Sequence, residues 1–406
     1  MPRRLYMDNA ATSFPKPPGV LAAMTRFATE LGASPGRGAY AEAQEAGQLM
    51  HQCRERINTL IHGENPDHVV FTLNTTDALN LAIHGITRAA RASGRSPHVI
   101  TTWMDHNSVL RPFNMMARHD GVQQTRVECN PDTGLVDPGD IQKAITPDTC
   151  LIAVVHGSNV TGTVQPVAEI GAIARRHDIP FLVDAAQTLG HMPLDVQRDH
   201  IDLLAAPGHK GLLGPLGTGM LYIRPGIEKL MHTVREGGTG SVSEDDTQPD
   251  FMPDRFEPGS HNAIGILGLS EGVQYILDQG IDNLWQHEQQ LVATMVAGLA
   301  DLPGLTVYGP PDVNDRCGVF SVRVVPGTGY DDPRTLSDVL ESEFGILTRS
   351  GIHCAPLAHK TFNTHELAGT TRLSFGPYLT VEDVQYACDA LTQIAQRAVA
   401  DEAVTR

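Results

Sequence analysis

From about residue 67 the chain alternates short runs of apolar, β-branched residues with longer segments whose apolar positions recur at helical spacing. HVVFTL (68–73), HVITT (98–102), CLIAVVH (150–156), PFLVD (180–184), DLLAAP (202–207) and GMLYI (219–223) read as strands. Segments 75–92, 107–120 and 165–178 read as the helices between them. Strands that are apolar throughout, not on alternate residues only, belong to a parallel or mostly parallel sheet covered on both faces. After about residue 260 the texture changes. A long helical pattern (262–301) leads to strands near 317–325, 345–349 and 371–375 and a closing helix at 381–399, the pattern of a smaller α+β unit. The expectation is an α/β protein with a large sheet domain over 15–260 and a small domain over 261–406 that includes residues 1–14.

Composition narrows the class. The 406 residues suffice for two domains of ordinary size, and 41% hydrophobic with 19% charged residues is the balance of a globular chain. No run approaches the ~20 apolar residues of a membrane span. A net charge of −17 argues against nucleic acid or an anionic membrane as partner, since both reward basic patches. MPRRLYMDNA lacks the apolar stretch of a signal peptide. Six cysteines (53, 129, 150, 317, 354, 388) include no C-x-x-C pair, so neither a disulfide framework nor a zinc ribbon is expected, and a cytoplasmic location is. SEDDTQPD (243–250) reads as an exposed loop.

Parallel sheets place ligands at the carboxyl ends of their strands. Polar residues gather at those ends here: Thr75–Thr76, His106, Asn159, Asp184 and His209–Lys210. PGHKGLLGPLGTGML (207–221) sets a lysine before glycines, the wrong order for a nucleotide-phosphate loop. A lysine at a strand end also suits a Schiff base with an aldehyde cofactor. Pyridoxal phosphate (PLP) needs that lysine, an acid for its ring nitrogen, a flat partner for its ring and donors for its phosphate. Lys210, Asp184, His106, and Thr75–Thr76 with the amides of the following helix answer those four needs. Each residue alone also has a plain structural use. Asp184 could cap a helix, Thr75–Thr76 could form an N-cap, His106 could be a satisfied histidine and Lys210 a solvated one. None of those uses predicts that all four fall at strand ends.

The chain also resembles the class V aminotransferase-like, fold-type I PLP transferases, and most of all the cysteine desulfurases with an R-x-G-x-H-C-A motif. The resemblance rests on YMDNAATSFPKP (6–17), NTTDALNLAI (74–83), DHNSVLRPF (105–113), HGSNVTGTVQP (156–166), VDAAQTLGH (183–191), GHKGLLGPLGTG (208–219), FEPGSHN (256–262) and RSGIHCAP (349–356), in family order. It implies a large, mostly parallel seven-stranded sheet domain and a small domain carrying Cys354 and Arg372. By resemblance, Lys210 bonds the cofactor aldehyde, Asp184 pairs with the ring nitrogen, and Gln187 bonds the ring oxygen or the bond between lysine and cofactor. His106 stacks on the ring and assists proton transfer. Thr75, Thr76 and His209 hold the phosphate together with Ser260 of a neighbouring subunit, so a homodimer is implied. Asn159 meets the ring or the substrate. Asn9, Ala10, Arg349 and Arg372 complete the substrate site, with Arg372 clamping the α-carboxylate through its planar fork of donors. Relatives often carry a serine two residues before the His-Lys pair. Pro207 stands there instead, which shifts phosphate binding onto backbone amides, Thr76 and Ser260.

Cys354 admits three readings. Free cysteines are among the most buried residues, so a core thiol is the plain one. His353, Cys354 and His359 could share a metal but lack a fourth ligand, and no metal is expected. By resemblance Cys354 is a nucleophile, its thiolate favoured by Arg349 or a histidine. The implied activity converts L-cysteine to L-alanine and leaves a persulfide on Cys354 for an acceptor protein. Selenocysteine lyase, cysteine-sulfinate desulfinase, or a transaminating or epimerising enzyme with an idle Cys354 are the alternatives, and a non-enzymatic scaffold is the remote one.

Overall fold

The computed structural model describes residues 4–35, 38–239, 241–242, 244–325 and 329–405. Residues 1–3, Ser243 and Arg406, which belong to segments assigned above, lie outside the described residues. Strand β1 (Leu5–Tyr6) opens the fold and is taken up below. A seven-stranded sheet follows from β2 (Val69–Thr72), β3 (His98–Thr102), β4 (Gln123–Val127), β5 (Thr149–Val155), β6 (Phe181–Asp184), β7 (Leu203–Pro207) and β8 (Gly219–Ile223). Its order is β2-β8-β7-β6-β5-β3-β4, with β8 antiparallel to both neighbours and every other pair parallel.

Six of these strands are the apolar runs of the sequence, buried along their whole length. Alternate residues of each serve opposite faces. Ile152 and Val154 join a core with Ile57, Phe181 and Leu204, while Leu151 and Ala153 join Leu79, Ile83 and Leu182 on the other side. The seventh strand, β4, is QQTRV and mostly half-exposed. It lies at the sheet edge, where polar residues guard unpaired backbone groups, and so carries no apolar signal.

Helices Thr75–Ala92, Asn107–His119 and Val167–Arg176 fall where their patterns predict. The 262–301 pattern is corrected. It is two helices, Ala263–Gln279 and Ile281–Leu299, parted at Gly280, whose φ of +79° ends the first. Apolar spacing continues across the break, so periodicity alone cannot see it. The first helix packs Ile266, Leu269 and Val273 into the core of Ile57 and Leu212. The second packs Leu291 and Val292 into a separate core with Phe320, Leu373 and Leu391.

That second core lies under a four-stranded antiparallel sheet, β12-β13-β10-β9. Its strands are β9 (Leu305–Tyr308), β10 (Val319–Val324), β12 (Arg349–Gly351) and β13 (Thr370–Ser374). The single strand expected near 345–349 is two. β11 (Ile346–Leu347) instead pairs in parallel with β1, which brings Leu5 and Met7 into this core. The closing helix is Val381–Thr405. Residues 244–250 are loop, largely exposed, as their polarity predicts. Among the described residues no helix is long and apolar enough to cross a membrane.

A buried ion pair fixes the segment after the large sheet. Arg54 donates to both carboxylate oxygens of Glu257 at 2.7 and 2.6 Å and also to the Val69 carbonyl, while Glu257 accepts the Phe71 N–H at 2.5 Å. Arg54→Ala leaves the buried Glu257 with only His261 Nε2 at 3.3 Å and the Phe71 N–H beside it. It is expected to lower unfolding free energy by about 3–5 kcal/mol in urea titration, whereas Arg56→Ala at the half-buried Glu271 pair costs far less.

Candidate functional site

The carboxyl ends of β5, β6 and β7 open on a cavity of about 130 Å³. Lys210 reaches it from the turn after β7, Asp184 from the end of β6, and His106 from the loop after β3. Thr75, Thr76, Asn159, Gln187 and His209 line it too. The chain thus gathers the cofactor residues named from the sequence, Ser260 apart.

For Asp184 and the two threonines the plain readings fail on geometry. Asp184 caps no helix: its carboxylate accepts the Ala186 N–H at 3.0 Å in the turn beyond β6 and is otherwise buried. Thr75 and Thr76 are not the cap of their helix, because Asn74 is, accepting the Asp77 N–H at 3.0 Å. Both threonines are left in the first turn, among unpaired amides. Burial raises the Asp184 carboxyl to about 6, against the pull of the Ala186 amide and the Lys210 ammonium. Burial and then Arg372 lower Lys210 to about 8, so the amine sheds its proton far more readily than a surface lysine.

His106 caps the helix Asn107–His119. Its Nδ1 accepts the Ser108 N–H at 3.1 Å and lies 2.8 Å from Ser108 Oγ, which is 2.8 Å from Thr76 Oγ1. His209 keeps a buried Nδ1 with no hydrogen-bond partner, an atom poised for a ligand.

The N-terminal segment braces the lysine turn. Ser13 N–H and Thr12 Oγ1 each donate to the His209 carbonyl at 3.0 Å. Ser13 Oγ donates to the Lys210 carbonyl at 2.9 Å, and Lys16 Nζ reaches the His209 carbonyl at 2.9 Å. Gln187 Nε2 donates to the Ala10 carbonyl at 3.1 Å, and Ala10 N–H to Ser374 Oγ at 2.8 Å. Asn9, named as substrate-binding, spends its amide on backbone: its nitrogen on the Ser374 carbonyl and its oxygen on the Phe14 N–H. Its place is that of a brace.

The small sheet supplies the other wall. Arg372 on β13 is buried, and its guanidinium donates to Asp8 Oδ1 at 2.7 Å and to the Asn159 carbonyl at 3.0 Å. Its Nε has no partner. Arg349 on β12 stands directly across the strand pair from Arg372. Like charges placed so repel, an arrangement that an anion between them relieves. Cys354 is exposed, which removes the core-thiol reading. Its carbonyl accepts the Asn107 N–H at 2.9 Å, and the His353 carbonyl accepts Asn159 Nδ2 at 2.6 Å. The cysteine loop is therefore tied to the residue beside His106. Both His353 and Cys354 hold positive φ, +51° and +59°. Such strain costs about 1–3 kcal/mol per residue and marks a loop shaped for use.

The metal reading fails as well. His353 and His359 are buried and lie against each other at 3.3 Å, with their outer nitrogens on the Arg349 carbonyl and Thr364 Oγ1. Among the described residues no cluster of metal ligands occurs. Ser260 is exposed and lies outside the Lys210 cavity, in a recess with Leu73 and Arg235. Nor does it cap the following helix; Asn262 does, through the Gly265 N–H at 3.1 Å. Sequence reading missed Asp8, Lys16 and Ser108. Asp8 and Lys16 sit in YMDNAATSFPKP and Ser108 in DHNSVLRPF, so the motifs held them, but only packing shows their partners.

Strand order, cavity and lysine define a doubly covered α/β fold of the kind that works at strand ends. The chain belongs to the aminotransferase class-V family, whose model matches residues 5–387. A probable cysteine desulfurase of Methanothermobacter thermautotrophicus is 35% identical over 393 residues, 96% of this chain and 94% of that one. A cysteine desulfurase of Escherichia coli is 32% identical over 393 residues, 96% of this chain and 93% of its own. Among solved structures, the apo cysteine desulfurase of Thermococcus onnurineus superposes with a TM-score of 0.88 at 33% identity, covering 97% of this chain and 95% of that one.

Proposed function

We propose that this protein is a PLP-dependent cysteine desulfurase that converts L-cysteine to L-alanine and carries the sulfur as a persulfide on Cys354. The observation that carries the reading is the convergence of Lys210, Asp184 and His106 on one cavity, with the exposed Cys354 loop tied beside His106. The residues suit the cofactor. Lys210 offers an amine of lowered basicity, Asp184 a buried acid, and His209 a buried nitrogen without a partner. His209, Thr75 and the amides of the helix that Thr75 and Thr76 open would hold the phosphate, Asp184 the ring nitrogen, and Gln187 the ring oxygen. Pro207 brings no hydroxyl, so the phosphate would lean on the backbone amides and Thr75.

The bound cofactor supplies an electron sink for the substrate α-carbon. Arg372 and Arg349 bind and orient the α-carboxylate, with Asn159 holding both Arg372 and the cysteine loop. Lys210 removes and returns protons at carbon. The Cys354 thiolate attacks the substrate sulfur. An S–S bond forms as the C–S bond breaks, and the electron pair stays with the carbon skeleton, which takes up a proton and leaves as alanine. The outer sulfur then passes to a thiol of an acceptor protein. The relatives named above are cysteine desulfurases, which favours this chemistry over selenocysteine, sulfinate, transamination or epimerisation readings. The six free cysteines suit a cytoplasmic location. The test is a substrate panel of L-cysteine, L-selenocysteine and L-cysteine sulfinate. With a dithiol present to reduce the persulfide and release its outer sulfur, equal yields of alanine and sulfide from L-cysteine are expected, and no alanine from it overturns the reading.

The active unit is a twofold dimer in which Ser260, outside its own chain's cavity, meets the cofactor phosphate of the partner. Sedimentation should find a dimer, and Ser260→Ala should loosen the cofactor about tenfold, the loss of roughly one charge-assisted hydrogen bond. A fully active monomer refutes it.

A further inference from the structure

We infer that Ser108 holds His106 in a single neutral tautomer, with its proton on Nε2, so that His106 offers the site a hydrogen-bond donor and not a base. What His106 faces rests on the function proposed above; its protonation does not.

The argument is one of donors and acceptors. The Ser108 backbone N–H can only donate, and it points to His106 Nδ1 at 3.1 Å. That nitrogen must present its lone pair. Ser108 Oγ lies 2.8 Å from the same nitrogen and must donate as well. Its own lone pairs then accept from Thr76 Oγ1 at 2.8 Å. The bonds run one way, from Thr76 to Ser108 to His106. A neutral imidazole with Nδ1 bare carries its hydrogen on Nε2.

A second proton would have to enter at Nδ1, where two donors already point and the helix Asn107–His119 presents its positive end. Burial opposes it most. The charged groups facing His106 oppose it too: Lys210 of the turn after β7, Arg111 of the same helix, Arg349 of β12 and Arg372 of β13. Asp184, the acid of the cavity, is itself pushed up by burial and favours no imidazolium while protonated. Together these hold the imidazole near 4, well below its ordinary range. Proton transfers at the reacting atoms therefore fall to Lys210, and His106 acts through its Nε2–H.

Protein labelled with nitrogen-15 histidine, with the cofactor and stripped of it, tests this by NMR, the His106→Gln spectrum identifying the signal. His106 should show the Nε2–H pattern in both forms and not titrate near neutral pH. Ser108→Ala keeps the backbone donor but loses the hydroxyl. Its His106 midpoint should rise by about one pH unit, tenfold in proton affinity, and Ser108→Thr should restore it. An Nδ1–H pattern, a neutral-range titration in the unaltered protein, or an unchanged Ser108→Ala signal overturns the inference. Because the stripped protein is read as well, a failure to bind PLP shows separately.

Discussion

Cys354→Ala is expected to abolish conversion of L-cysteine to alanine and sulfide by a factor on the order of a thousand or more, as loss of a covalent nucleophile does. The fold and cofactor site should survive, because the Cys354 side chain is exposed. Alanine inherits the same φ of +59° and adds no new backbone strain. The chemical reason is specific. A thiolate of the amino acid leaves carbon only when another sulfur receives it, whereas a sulfinate expels its sulfur oxide and selenium departs more readily. Those two substrates should lose far less activity, and a variant that merely misfolds would lose all three alike. Brief exposure of the unaltered enzyme to L-cysteine should add one sulfur to the peptide containing Cys354, read by mass spectrometry. The other thiols are poor rivals. Burial pushes Cys53, Cys129 and Cys388 up to about 12 and Cys150 to about 11, and raises Cys317 as well. An adduct on one of them, or normal turnover in the alanine variant, removes Cys354 from the mechanism.

Lys210→Ala is the second large effect. Turnover should fall by a similar order, and the visible absorbance of cofactor joined to lysine should vanish while the protein stays folded. Burial lowers this lysine below its ordinary range, so the unfolded chain binds its proton more tightly than the folded one. The residue thus costs stability below its folded midpoint near 8, and the cost fades as pH rises toward the unfolded value. The cofactor-free alanine variant should melt no lower than its parent at neutral pH. Unchanged absorbance and activity in that variant would remove the PLP assignment.

Much of this site was legible because strand ends in a parallel sheet are also where motifs cluster. Lys210, Asp184, His106 and Thr75–Thr76 could be placed together from pattern alone, since the apolar runs before them fixed the strands. The edge strand β4 was invisible because burial writes the pattern and β4 is scarcely buried. The break at Gly280 was invisible because apolar spacing resumes on its far side. The ion pair of Arg372 with Asp8 joins residues 364 apart, a partnership no local reading supplies. Ser108 was hidden differently: serine near a helix start reads as an ordinary capping residue, yet here the histidine caps and the serine supports it.

The N-terminal brace has a consequence for how the enzyme is made. β1 waits for β11, Asp8 bridges Ser374 and pairs with Arg372, and Ala10 hangs from Ser374. The large sheet is complete once Ile223 has left the ribosome, and domains generally fold as units during synthesis. The bonds of Thr12, Ser13 and Lys16 to the lysine turn need nothing beyond residue 210, but the contacts of β1, Asp8 and Ala10 and the wall that holds Arg372 cannot close until residue 374 has emerged. A stalled chain lacking its last quarter can therefore build the cofactor cradle but not the substrate clamp, and only the finished chain can handle reactive sulfur.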